Sequence, residues 1–162
     1  MPVINRLQQV SLFKEIKDNQ DALKKIEDII TVRNISKGHK IIAEGDQGDE
    51  MFILNAGKVS IEKKTLQDES YTVVSLSDNM NIFFGEQALM DNDTRSATVV
   101  AETDCECYVI KKKDFDKLGD DNPDIGLMIT REIAKMLSGR LRKANSDVIT
   151  LFEALVKQVE ES

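Results

Sequence analysis

The residues best equipped for chemistry lie in one stretch, 84 to 99, which reads F-G-E-Q-A-L-M-D-N-D-T-R-S-A-T-V. Gly85 has no Cβ, so the backbone there can turn sharply and a ligand can approach it closely. Glu86 places a carboxylate beside that turn, an acceptor suited to sugar hydroxyls. The peptide N–H groups of Gln87, Ala88 and Leu89 open a short helical turn, where unsatisfied donors attract an anion. Nine residues after Glu86 stands Arg95, whose planar fork matches phosphate oxygens, and Ser96 adds a hydroxyl beside Ala97. The combination describes a pocket for one negative charge and an adjoining pair of hydroxyls, with no metal required.

Other chemistries find few parts. The single histidine, His39, would have to serve every Ser/His/Asp or Cys/His scheme, and it sits among lysines at a hairpin start, where a solvated turn residue is expected. Cys105 and Cys107 are spaced i, i+2 in a strand-like run, so they share a face and read as small buried hydrophobes rather than metal ligands. The net charge of −7 and pI near 4.8 set the chain against a nucleic-acid backbone, so no nucleic-acid partner is expected. Lys111 to Lys113 read as a solvated strand end. No apolar run approaches the roughly 18 residues of a membrane span and no basic-then-apolar leader opens the chain; a cytoplasmic protein without membrane contact is expected.

The elements that must position this stretch follow from periodicity. Residues 3 to 31 carry apolar positions at helical spacing, with Asn19 or Asp21 as an N-cap between two helices. From Val32 to Lys111 short β-branched runs alternate with Gly, Asp and Asn turns, which predicts strands near 32–36, 40–43, 51–55, 58–63, 71–76, 97–101 and 105–111. Met51 to Leu54 should face the core. Asn122 as N-cap and Pro123 at the first helical position start a C-terminal helical segment, 112–162 overall, in which Gly126, Gly139 and Asn145 to Asp147 are points of interruption. Leu137, Leu141, Ala144, Val148, Leu151 and Leu155 form a short heptad seam that would pair two copies of the chain.

Phe84, Gly85, Glu86, Ala88, Leu89, Arg95, Ala97, Thr98 and Val99 stand at the spacing of F-G-E-x-A-L, a short loop, then P-R-x-A-T-V. This resembles the phosphate-binding cassette of the cyclic-nucleotide-binding domain family, the type found in catabolite activator protein and protein kinase A regulatory subunits; Thr94 stands where the family usually has Pro. A second match runs from Gly45 to Val59, similar to G-D-x-G-x-x-M-F-I-L-x-x-G-x-V, and S-L-F-K-E-I at 11–16 is similar to the family's N-terminal helical segment. Residues 77–82 depart from the family, lacking its usual Gly and running slightly longer.

The resemblance spans residues 11 to 145. It implies an α+β fold: an antiparallel, jelly-roll-like β-roll (32–111) flanked by N-terminal helices (1–31) and one or two C-terminal helices. It implies a non-catalytic sensor whose ligand is cAMP or cGMP, with no cofactor. Glu86 would meet the ribose and Arg95 the phosphate; Ser96 would touch the phosphate or a guanine; Val73 and Val74 would lie under the base; Arg140, on a helical lid from Leu137 to Leu141, would reach it. In bacterial transcription factors of this family a helix-turn-helix domain follows the long helix, and with the sequence ending at Ser162 none is expected here. The alternative is a fold of this kind that has lost nucleotide binding and docks an effector protein; a jelly-roll metal enzyme is a more distant third.

Overall fold

The computed structural model describes residues 2–67, 69–92 and 94–161; Asp93 of the cassette lies outside them. Two helices lead, α1 (Val3–Gln9) and α2 (Gln20–Asp28), separated by a 3-10 turn at Ser11–Phe13. Eight strands follow: β1 (Ile30–Ile35), β2 (Lys40–Ile42), β3 (Glu50–Ala56), β4 (Lys58–Lys64), β5 (Ser70–Ser77), β6 (Phe83–Phe84), β7 (Thr98–Ala101) and β8 (Cys105–Lys111). Two helices close the chain, α3 (Lys112–Asp121) and α4 (Pro123–Glu160). The strands form two antiparallel four-stranded sheets, β1-β8-β3-β6 and β2-β7-β4-β5. The architecture is the α+β roll expected from the sequence.

The sheet β1-β8-β3-β6 is covered on both faces, which is why β3 reads as an unbroken apolar run instead of an alternating one. Met51 and Ile53, with Tyr108 and Ile110 of β8, pack against α1, α2, α3 and the start of α4. Phe52 and Leu54, with Cys107 and Val109, face the second sheet and meet Val59, Val99 and Ala101. The register pairs Met51 with Ile110 and Phe52 with Val109, so a one-residue slip would exchange the two cores. Each of these fully buried side chains contributes about 1.5–3 kcal/mol. Cys105 and Cys107 are buried as expected, and burial pushes the Cys107 thiol up to about 12.

Several local expectations change. Ile30 belongs to β1, not to the second helix, because its pairing with Ile110 outweighs one further helical residue. Asn19 caps α2 by accepting from the Ala22 N–H; Asn122 stands at the N-cap of α4 as expected, but without a side-chain capping bond, its amide donating back to the Leu118 carbonyl at the end of α3. Pro123 stands in the first turn of α4 as expected. That helix runs unbroken for 38 residues through Gly126, Gly139 and Asn145. Gly126 serves the crossing of α3 and α4, since a Cβ there would come within 2.7 Å of the Gly119 Cα. Lys14 pairs with Glu132 at 2.8 Å, tying the segment after α1 to the base of α4. Lys112 is not simply solvated: its ammonium donates to the Leu89 carbonyl at 3.2 Å and so links α3 to the cassette.

Candidate functional site

A cavity of about 920 Å3 opens where the cassette, the second sheet and α4 meet, within the range of small-molecule sites. Its cassette walls are the 3-10 turn Glu86–Leu89 and the segment that leads into β7. Gly85 has φ of 75°, the left-handed conformation that glycine adopts without cost, and this turn swings Glu86 inward. Glu86 is 3% exposed. Within the 3-10 turn the Ala88 N–H already donates to the Gly85 carbonyl at 3.2 Å, so the set of free N–H donors expected at 87–89 is smaller than the sequence suggests.

Arg95 is half-buried and, among the described residues, held by backbone carbonyls. Its two terminal nitrogens donate to the carbonyls of Gly85 at 3.2 Å and Glu50 at 2.7 Å, leaving further N–H donors of the fork for a ligand. Its own peptide N–H donates to the Asp46 carbonyl, and its carbonyl accepts from the Gly45 N–H, so the Gly-rich turn 44–50 fixes the cassette arm. Gly48 has a second purpose that its motif does not announce: a Cβ at this position would overlap the Arg95 guanidinium. Burial lowers the pKa of Arg95, and the charges of Glu50, Asp49 and Glu86 oppose that shift. The Glu50 side chain is occupied elsewhere, accepting both terminal nitrogens of Arg33 at 2.8 Å, a pairing that holds its carboxyl below the usual range.

The third contribution comes from α4. Met136, Arg140 and Lys143, spaced 4 and 3 residues apart, share the helix face that lines the cavity. Arg140 donates to a Glu86 carboxylate oxygen at 2.5 Å. The side chain expected to reach a base is thus paired with the acid expected to meet a ribose. The other carboxylate oxygen keeps its lone pairs.

Of the residues singled out from sequence, Gly85, Glu86, Gln87 and Ala88 line the cavity, as do Arg95, Ser96, Ala97, Val73 and Arg140. Val74 does not. Strict alternation would put Val74 on the cavity face with its partner Ile61 and with Leu76, but the register shifts between the pairs Ile61–Val74 and Glu62–Thr72, and the extra residue at that shift, Val73, lines the cavity instead. The sequence reading missed Gly48, Met136, Lys143 and Lys63; for the helical pair the available signal was their spacing from Arg140. Leu137 packs against the core, so the exposed part of the seam begins at Leu141. His39 is an exposed turn residue whose Nδ1 lies 3.2 Å from the Ser36 carbonyl. Among the described residues no group of three or more His, Cys, Asp or Glu side chains is placed to hold a metal, and no helix is long and apolar enough to cross a membrane.

Comparison with known proteins agrees with this geometry. The model of the cyclic nucleotide-binding domain matches residues 32–122. Human cGMP-dependent protein kinase 2 is 36% identical over 145 residues, which is 88% of this chain and 18% of the kinase; the chain therefore spans under a fifth of that relative's length. Among solved structures, Thermus thermophilus catabolite activator protein superposes with a TM-score of 0.76 at 26% identity, over 86% of this chain and 62% of that one. The regulatory domain of Toxoplasma gondii PKA, solved with cAMP, superposes with a TM-score of 0.67 at 19% identity, over 82% and 49%, a likeness of fold.

Proposed function

Because this chain belongs to the cyclic nucleotide-binding domain family, we propose that it is a non-catalytic sensor of a cyclic purine nucleotide, cAMP or cGMP, which needs no metal or other cofactor. The observation that carries the reading is the pairing of a buried acid, Glu86, with a half-buried guanidinium, Arg95, on one cavity. Arg95 is held by carbonyls, and Glu86 is paired with Arg140, a 55% exposed arginine on a long helix.

In the bound state the cyclic phosphate sits against Arg95, trading carbonyl bonds for charge-assisted ones. The ribose hydroxyl donates to Glu86. Val73 and Met136 offer apolar surface to the base, and Ser96 is placed to contact either the phosphate or a guanine. The Arg140 contact makes α4 the element through which occupancy is read. Beyond Leu141 that helix leaves Val148, Leu151 and Leu155 exposed, which supports association of two copies along it. If ligand and association share one helix, each strengthens the other by the same factor. The readout is then a change in partner binding by the chain itself or by a protein to which it is attached.

Calorimetric titration with cAMP and with cGMP, with and without a chelator, tests the reading. Saturable one-to-one binding of either nucleotide, unaffected by chelator, is expected. No heat and no thermal stabilisation with either nucleotide would favour a docking module that has lost its ligand.

A further inference from the structure

We infer that Arg6, on the N-terminal helix and far from the cassette in sequence, is a positioning residue for the nucleotide site, acting through Asn81. The inference rests on the cyclic-nucleotide reading above. It starts from the stretch where this chain departs from its family, 77–82, which the structure folds as a 3-10 turn, Asp78–Met80, followed by Asn81 and Ile82. Met80, Asn81, Ile82 and Phe83 all line the cavity.

Asn81 has φ of 52° and is the one non-glycine residue with positive φ among the described residues. A left-handed residue with a Cβ is disfavoured and persists where its surroundings impose it. The front of the turn is imposed by the β3–β4 corner: the Asp78 N–H donates to the Gly57 carbonyl, and the Asp78 carboxylate accepts from the Gly57 N–H. The rear is imposed by Arg6. Arg6 is 5% exposed, and among the described residues its side-chain hydrogen bonds all go to neutral oxygens. One terminal nitrogen donates to the Asn81 side-chain oxygen at 2.5 Å and to the Asp78 carbonyl at 3.0 Å. The rest of the fork grips Asn55 of β3, through its side-chain oxygen at 3.2 Å and its carbonyl at 2.7 Å. A buried cation spread over carbonyl and amide oxygens is an expensive way to hold a helix on a sheet. What it achieves here is to lock the residue at which the chain reverses into β6 and then the cassette. The Ile82 carbonyl, one residue on, accepts from the Leu54 N–H, so the wall of the cavity and the edge of β3 are set together.

Glycine takes the left-handed conformation without help, and a β-branched residue resists it. The test therefore uses Arg6→Met, Asn81→Gly, the double variant, and Asn81→Val. Two readouts apply: affinity for whichever of cAMP and cGMP the wild type binds more tightly, and amide exchange at Asn81 and Leu54 in the ligand-free protein. Without Arg6 the disfavoured conformation should fall to a minor population, weakening binding about tenfold, with faster exchange at both amides. Adding Asn81→Gly to Arg6→Met should recover most of the loss in affinity and return exchange at Leu54 towards the wild-type rate, because glycine holds the left-handed turn without Arg6. Wild-type affinity in a folded Arg6→Met, or no rescue in the double variant, overturns the inference. Should Arg6→Met fail to fold, Asn81→Val against Asn81→Gly decides with Arg6 intact, equal affinities overturning it. If the wild type binds neither nucleotide, the functional reading fails, and the exchange measurements still judge Arg6: unchanged exchange in Arg6→Met or Asn81→Val refutes the positioning role.

Discussion

Replacing Arg95 by alanine separates the binding site from the fold. Among the described residues the Arg95 side chain makes two hydrogen bonds, to the carbonyls of Gly85 and Glu50. Their loss is offset in part by removal of a charge that burial already disfavours, so the stability cost should be about 1 kcal/mol. The ligand loses far more. Removing the charged partner of a desolvated phosphate costs about 2–5 kcal/mol, and at about 1.4 kcal/mol per tenfold the lower bound is roughly a thirtyfold weaker affinity. Calorimetry at fixed ionic strength measures this directly, and thermal unfolding provides a second route. Ligand at 100 times the wild-type Kd stabilises by about 2.7 kcal/mol, whereas the same concentration acting on a thirtyfold weaker variant stabilises by only about 0.9 kcal/mol. Arg95→Lys should fall between the two, since one ammonium keeps the charge but cannot span both carbonyls and the phosphate. An Arg95→Ala protein that binds within threefold of wild type would refute the assignment of the phosphate to this residue.

Gly48→Ala should weaken nucleotide binding nearly as much as Arg95→Ala, although it lies outside the cassette, because its Cβ takes the space of the guanidinium; calorimetry on the folded variant checks it, and unchanged affinity would mean that Arg95 works from another position. The Arg33 pairing holds Glu50 below its usual pKa, so it stabilises the fold above the unfolded carboxylate value of about 4.3 and is lost as pH falls through the lower folded value. Urea unfolding of wild type and Arg33→Met should therefore differ at neutral pH and converge in acid. Leu151→Asp should abolish self-association in analytical ultracentrifugation while sparing the roll, because Leu151 is 65% exposed on α4 and touches no core; a wild type that stays monomeric at high concentration with and without nucleotide would end the dimer reading.

Much of this protein is written locally. Gly85 predicts a left-handed turn because only glycine enters that conformation freely, Asn19 predicts a cap because its side chain needs only its own next turn, and Arg95 at its distance from Glu86 announces an anion and a hydroxyl on one loop. The burial of Met51 to Leu54 is likewise visible as an uninterrupted apolar run, although their division between two cores belongs to the packing of both faces of the sheet. Partners separated by most of the chain are not visible in this way, since nothing in a residue's neighbours records what will be folded against it. Arg140 is singled out only by the family resemblance, and as a contact to the base; its pairing with Glu86 across 54 positions emerges only when α4, continuous through Gly139, carries it there. Gly48 reads as a turn glycine until the Arg95 side chain is seen to pass over it, and Val73 parts from Val74 because of a register shift that belongs to the pairing of β4 with β5. Nothing in its local sequence singles out Arg6 of α1. Tertiary packing buries it and makes it the hub that joins α1, β3 and the turn at Asn81, because a buried guanidinium must find an acceptor for each donor wherever the chain can supply one.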